Sequence, residues 1–297
     1  MKQEYKEKNL TNKQLRRKVR SIRFLMAAFS VLSFRRKHRP TGVEQFIDTD
    51  EGKVRILTYN MDCPQRLPLY VNIHGGGFVL GNAEMDDPFM LALAKNAHVK
   101  IISIDYSLAP EYPFPKALNE CFAVIKYAKT HSDAFGIDPE RIAVGGQSAG
   151  GNLSAGVCLM DNDKKQLGVK CIVLDYPPLD IYTEAGSKPL PKGALPVFMC
   201  RIFDACYCID REQRNNPLVS PVYASVDDVR FFPPALVITA TFDSLCGEGE
   251  LFRDKLIEAG VEVTHKRFEA RHGFNLDPGP QTDESWQMIA DHLKRYL

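Results

Sequence analysis

Apolar side chains at Leu15, Val19, Ile22, Met26 and Phe29 recur every three or four positions, so residues 12–34 predict an amphipathic helix. After residue 43 the rhythm shortens. Residues 43–48 and 53–59 read as a hairpin across the turn Asp50-Glu51-Gly52. Further strands are predicted at 69–73, 100–105, 141–145, 170–176, 235–240 and 262–268. Several are apolar throughout, as strands covered on both faces are. Helical patterns at 87–96, 116–131, 148–159, 249–259 and 282–296 separate them. Strand alternating with helix predicts an α/β chain, a mainly parallel sheet between layers of helices. No internal repeat or low-complexity tract interrupts the series.

One stretch breaks the alternation. Nearly sixty residues rich in proline, aromatics and cysteine lie between Tyr176 and Ala235. Structureless loops of that length are uncommon in compact domains, which predicts a helical insertion over a binding site. With the N-terminal helix it would form a lid.

Composition narrows the class. A chain of 297 residues, 44% hydrophobic and 25% charged, has the make-up of a globular protein with a large core. The net charge of +1 does not point to nucleic acid, but it hides an asymmetry. Residues 1–40 carry thirteen Lys/Arg against Glu4 and Glu7, a net +11, which leaves −10 on the other 257 residues. The longest uncharged apolar run, 24–34, is eleven residues, short of the roughly twenty that a membrane span needs. A basic stretch before it imitates a signal peptide. No small-x-small cleavage site follows, however, and Arg35-Arg36-Lys37 comes directly after, so neither reading is favoured. Cys63, Cys121, Cys158, Cys171 and Cys246 are scattered singly, and Cys200, Cys206 and Cys208 cluster without a CxxC pair or a nearby histidine. That usage predicts no metal site and a reduced, cytoplasmic protein.

Two glycine-rich segments carry the chemistry. Gly146-Gln147-Ser148-Ala149-Gly150 sits between a predicted strand and a predicted helix, the setting in which a sharp turn exposes a serine hydroxyl as a nucleophile. The plainer alternative is a glycine-rich helix start with Ser148 as its capping residue. His74-Gly75-Gly76-Gly77-Phe78 follows another strand; consecutive glycines turn backbone N–H groups toward one point, as an oxyanion hole requires. The Lys-Ser/Thr ending of a phosphate-binding loop is missing there.

These two motifs, the run Asp105-Tyr-Ser-Leu-Ala-Pro-Glu111 with Phe114-Pro115, and the late His272-Gly273-Phe274 occur in one order and spacing. Together they resemble the hormone-sensitive-lipase-like family of α/β-hydrolase esterases over about 45–297. The resemblance implies an eight-stranded α/β-hydrolase sheet with a helical cap, built from an N-terminal segment (1–45) and an insertion (about 178–232) on a catalytic domain (46–297). It implies hydrolysis of short acyl esters through Ser148 as nucleophile, His272 as general base and Asp243 as the acid that orients it. Gly76, Gly77 and Ala149 would supply the oxyanion hole, with His74 and Gly75 supporting the loop. No cofactor or metal is implied. Glu248, five residues beyond Asp243, competes for the acid's role, but Asp243 lies just past a strand end, and Glu248 suits the first turn of the following helix.

Three features depart from the family pattern: Gln147 where an acid is usual, Ser107 where arginine is usual, and the loop Asp243-Ser244-Leu245 for Asp-Pro-Leu, followed by Gly247 where a second acid is common. A peptidase or amidase on the same fold, and an inactive hydrolase used as a ligand receptor, stand as competing readings. The expected partner is a small ester. A homo-oligomer, and peripheral membrane contact through 12–34, are left open beside the cap reading of that helix.

Overall fold

In the computed structural model, which describes residues 12–32 and 40–297, the chain begins with helix α1 (Asn12–Leu32). The expected helix over 33–34, and parts of the expected 1–45 segment, lie outside the described residues. A hairpin follows, β1 (Val43–Thr49) and β2 (Gly52–Tyr59), then β3 (Leu67–Ile73), α2 (Asp87–Ala97), β4 (Lys100–Asp105), α3 (Lys116–Thr130), the short α4 (Ser132–Phe135), β5 (Ile137–Gln147) and α5 (Ala149–Lys164). The second half runs β6 (Cys171–Asp175), α6 (Val197–Tyr207), the short α7 (Val226–Val229), β7 (Ala235–Phe242), α8 (Cys246–Glu258), β8 (Val263–Arg271) and α9 (Pro280–Tyr296).

Among the described residues the strands form one eight-stranded sheet in the order β1-β2-β4-β3-β5-β6-β7-β8. The β1–β2 and β2–β4 pairs are antiparallel, and every pair from β4–β3 onward is parallel. Side chains alternate between the two faces of a strand, so the buried strands feed two cores. Leu69, Val71 and Ile73 pack with Leu118, Leu153 and Phe252 on one face. Tyr70 and Ile101 pack with Met90, Leu93, Ile289 and Leu293 on the other.

The strand predicted at 141–145 begins earlier, at Ile137. Pro139 hides the extension in sequence. The register jumps there, Leu67 pairing with Ile137 but Leu69 with Ile142, so the proline sits in a bulge where its missing N–H breaks no ladder bond. The insertion after β6 is less helical than predicted: α6, α7 and short 3-10 turns punctuate an otherwise irregular path. Pro189, Pro191, Pro196, Pro217 and Pro221 stop helices from propagating. Polar anchors hold the path instead, with Asn152 Nδ2 donating to the carbonyls of Pro178 (2.8 Å) and Val219 (2.9 Å).

Helix α1 packs on α6. Val19 is buried in a small cluster with Val79, Ala109, Ile202, Phe203 and Cys206. Arg23 donates to the Val79 carbonyl (2.9 Å), the Ala109 carbonyl (2.9 Å) and Glu111 Oε2 (3.0 Å).

Candidate active site

The carboxyl ends of parallel strands are where open α/β sheets place their ligand sites, and β5, β7 and β8 each deliver one polar residue there. Between β5 and α5, Ser148 occupies the corner alone at φ 52°, ψ −121°. That conformation is costly for a residue with a side chain and persists only where its surroundings leave no alternative. Here they do not. A Cβ on Gly146 would lie 2.0 Å from the Ile73 carbonyl oxygen, and one on Gly150 1.8 Å from it. The Ser148 N–H donates to the Asp175 carbonyl at 2.8 Å, fixing the turn against β6.

His272 follows β8 directly, and its Nε2 lies 2.9 Å from Ser148 Oγ. Its Nδ1 lies 2.6 Å from Oδ2 of Asp243, the first residue after β7. A proton on Nδ1, donated to the carboxylate, leaves Nε2 free to accept from the serine hydroxyl. Asp243 Oδ1 accepts from the Leu245 N–H at 3.1 Å, so both carboxylate oxygens are engaged. Glu248 is elsewhere. It sits in the first turn of α8, but its Oε1 accepts from the N–H groups of Leu179 (2.7 Å) and Asp180 (3.2 Å), and its Oε2 from Lys188 Nζ (2.6 Å). Its partners belong to the insertion, not to its own helix.

The glycine loop lies beside the serine: a Cβ on Gly75 would be 3.4 Å from that of Ser148. Gly75, Gly76 and Gly77 line one cavity with Ser148 and His272. Gly76 has φ +111° and its Cβ would strike the Leu80 carbonyl, so the loop tolerates no side chain there. Ala149 is buried as the first residue of α5, where helix N–H groups have no intrahelical acceptor. His74 is fully buried behind the loop and stacks on Tyr106 at 4.1 Å. Its Nδ1 donates to the Gly75 carbonyl at 2.7 Å, and burial lowers its pKa to about 4, so it braces the loop as a neutral ring.

Two of the departures from the family pattern have local reasons. Gln147 turns its amide nitrogen to the buried carboxylate of Asp86, 2.6 and 3.0 Å away, and Asn72 Nδ2 donates to the same group at 2.9 Å. An acid at 147 would face another carboxylate; burial, against the Asn72 hydrogen bond, already raises the Asp86 pKa to about 6. Ser107 donates from both its N–H (2.6 Å) and its Oγ (2.8 Å) to Glu120.

A second buried network escaped the sequence reading because its members are far apart in the chain. Asn275 Nδ2 donates to Asp175 Oδ2 at 2.6 Å, and Tyr176 Oη donates to Asn275 Oδ1 at 2.5 Å. The Tyr176 ring meets the His272 ring edge-on, centroids 4.9 Å apart. Burial raises the Asp175 pKa to about 8, and its Oδ1 has no partner among the described residues.

The cavity holds about 190 Å³ and is mainly apolar. The insertion supplies one wall through Leu190, Leu195, Val197, Met199 and Phe203, and also Lys188 and Asp204. Burial raises the Asp204 pKa to about 7. Burial also pulls the Lys188 pKa down, but Glu248 outweighs this and keeps the ammonium charged.

A strand-turn-helix serine hydrogen-bonded to a histidine, itself hydrogen-bonded to an acid, on a mainly parallel eight-stranded sheet defines an α/β hydrolase. An alpha/beta hydrolase fold family model matches residues 70–276. The chain is 35% identical to an arylesterase of Saccharolobus solfataricus over 245 residues, 78% of each chain. It is 49% identical to the hormone-sensitive lipase of Mus musculus over 146 residues, 48% of this chain and 19% of that one. The solved structure of a hyperthermophilic esterase from Pyrobaculum calidifontis superposes with a TM-score of 0.82, at 31% identity over 93% of each chain. The chain belongs to the hormone-sensitive-lipase-like family of α/β hydrolases and is a carboxylic ester hydrolase. No described helix is long and apolar enough to cross a membrane.

Proposed function

We propose that the chain hydrolyses short acyl esters through a covalent acyl-enzyme carried by Ser148. The observation that carries this is the continuous hydrogen-bonded line from Asp243 through His272 to Ser148, with links of 2.6 and 2.9 Å. His272 Nε2 takes the hydroxyl proton as Ser148 Oγ attacks the ester carbonyl. The oxyanion forms toward the N–H groups of Gly76, Gly77 and Ala149. His272 then gives its proton to the departing alcohol oxygen, leaving the acyl-enzyme. Water, deprotonated by the same nitrogen, attacks the acyl carbon, and the proton returns to Ser148 as the carboxylic acid leaves. Asp243 holds the ring and stabilises its charged form in both halves.

Short acyl chains are supported by the size of the cavity, about 190 Å³, below the roughly 300–1,000 Å³ of pockets that enclose drug-sized ligands. The wall residues of 178–232, together with α1 on its outer side through Val19 and Arg23, act as the cap. All eight cysteines are free, which supports a reducing, cytoplasmic setting. The test is labelling by a fluorophosphonate together with a panel of p-nitrophenyl esters from acetate to palmitate and an aryl amide control. Wild type should label and prefer the short esters. Ser148→Ala should lose labelling and at least about four orders of magnitude in kcat while keeping its melting temperature. A folded Ser148→Ala protein with substantial turnover would overturn the assignment.

A further inference from the structure

Helix α1 has two unlike faces. Val19, Ile22 and Arg23 turn inward, and Val19 and Arg23 make the contacts with α6 and the segment after the glycine loop. On the opposite side, Lys13, Arg17, Arg20 and Phe24 follow each other at spacings of four, three and four residues, which places them in one row along the helix. All four are exposed, Phe24 by 73%; Arg16 beside the row and Lys18 farther round the helix are exposed too. Among the described residues none of the five cations has an anionic partner, and no acid lies within Asn12–Leu32. The row therefore presents uncompensated positive charge ending in an unburied aromatic ring. In sequence, Phe24 also opens the eleven-residue apolar run.

We propose that this outer face of α1 docks the enzyme on an anionic lipid surface, the cations lying at the headgroups and Phe24 entering the acyl boundary. Charge alone would suit any polyanion. A nucleic acid or an acidic protein face, however, offers phosphate or carboxylate with no apolar phase, whereas a lipid interface offers both in the order in which the row presents them. The docked side of α1 is untouched by this contact, so the helix serves the cavity wall and the surface at once. Leu190, which lines the cavity and is 52% exposed, marks an opening through which an ester can pass.

The test uses the full chain with large unilamellar vesicles of phosphatidylcholine, with or without 30% phosphatidylglycerol, at low and high salt. Co-sedimentation should require the anionic lipid and weaken with salt. The triple variant Lys13→Gln/Arg17→Gln/Arg20→Gln should lower the partition coefficient about a hundredfold. Phe24→Ser should lower it several-fold and leave the salt dependence in place. Both should hydrolyse a soluble p-nitrophenyl ester like wild type, so a failure here is separable from a failure of the esterase reading. Absence of vesicle binding, equal binding to neutral vesicles, or a triple variant that binds like wild type would each overturn the proposal. So would light scattering that showed a wild-type dimer dissociated by the triple variant, because the face would then be a contact between copies.

Discussion

Asp175 and Asn275, a hundred positions apart, are joined by a 2.6 Å hydrogen bond. One end of that bond is the β6 terminus, whose carbonyl receives the Ser148 N–H; the other is the loop that carries His272. Ser148 and His272 are thus both tied to one shared piece of buried polar structure, separate from Asp243 at the end of β7. Asp175 holds a proton in the folded state up to about pH 8 that the unfolded chain releases near 4. Between those values the native state binds more protons, so this residue makes stability fall as pH rises and contributes no slope above 8.

Asp204 and Glu248, raised to about 7 by burial, act in the same direction, while His74, lowered to about 4, opposes them only below about 6.5. The melting temperature should therefore decline from pH 6.5 to 8. Asp175→Asn, which keeps the oxygen that accepts from Asn275, should remove about 2 °C of that decline per pH unit. An unchanged slope in the variant would show that Asp175 is ionised throughout.

Tyr176→Phe deletes only the hydroxyl bound to Asn275 and keeps the ring against His272. The expected outcome is a fall of several-fold in kcat with KM nearly constant, because the loss is one of histidine placement and not of substrate contact. A KM effect without a kcat effect would assign the tyrosine to the cavity wall instead.

The acids on either side of the α8 start should separate cleanly. Asp243→Asn should lower kcat by about four orders of magnitude, as loss of the orienting carboxylate does in other triads. Glu248→Gln strands a buried lysine and should cost about 3 kcal/mol of stability. Thermal melts and steady-state rates on both variants decide the matter, and a larger kcat loss in Glu248→Gln would reverse the assignment.

Arg23→Ala breaks three hydrogen bonds made by α1, one to Val79 just after the glycine loop and two to Ala109 and Glu111 in the segment after β4. It should raise KM for soluble esters several-fold in the absence of any lipid, and it should open the basic row of α1 to limited trypsin digestion. If neither changes, α1 is no part of the cap.

Much of this was legible in the chain. The parallel core announced itself through apolar runs such as 69–73 and 100–105, and the chemistry through glycines that only a crowded turn explains. Other parts had no local signature. Pro139 cut short the apparent start of β5, because a bulge that absorbs a proline is a property of the partner strand. In the insertion the sequence suggested more helix than forms, because the prolines confine it to α6, α7 and short turns, and the apolar face of α6 is met by α1 and the cavity. Gln147 looked like a defect in the motif until Asp86 appeared beside it. Networks such as Asp175–Asn275–Tyr176 depend on contacts across the sheet, which no spacing along the chain records.

The Phe203 ring occupies the space that a side chain on Gly77 would need, 2.3 Å from its would-be Cβ. The insertion and the glycine loop are therefore keyed into each other like a tenon in its mortise. Trimming Phe203 to admit a bulkier ester also frees the backbone that would face the oxyanion, and filling Gly77 evicts the ring from the wall. A change on either side of that joint is therefore felt on the other, so the shape of the cavity wall and the conformation of the glycine loop cannot be altered separately at this point.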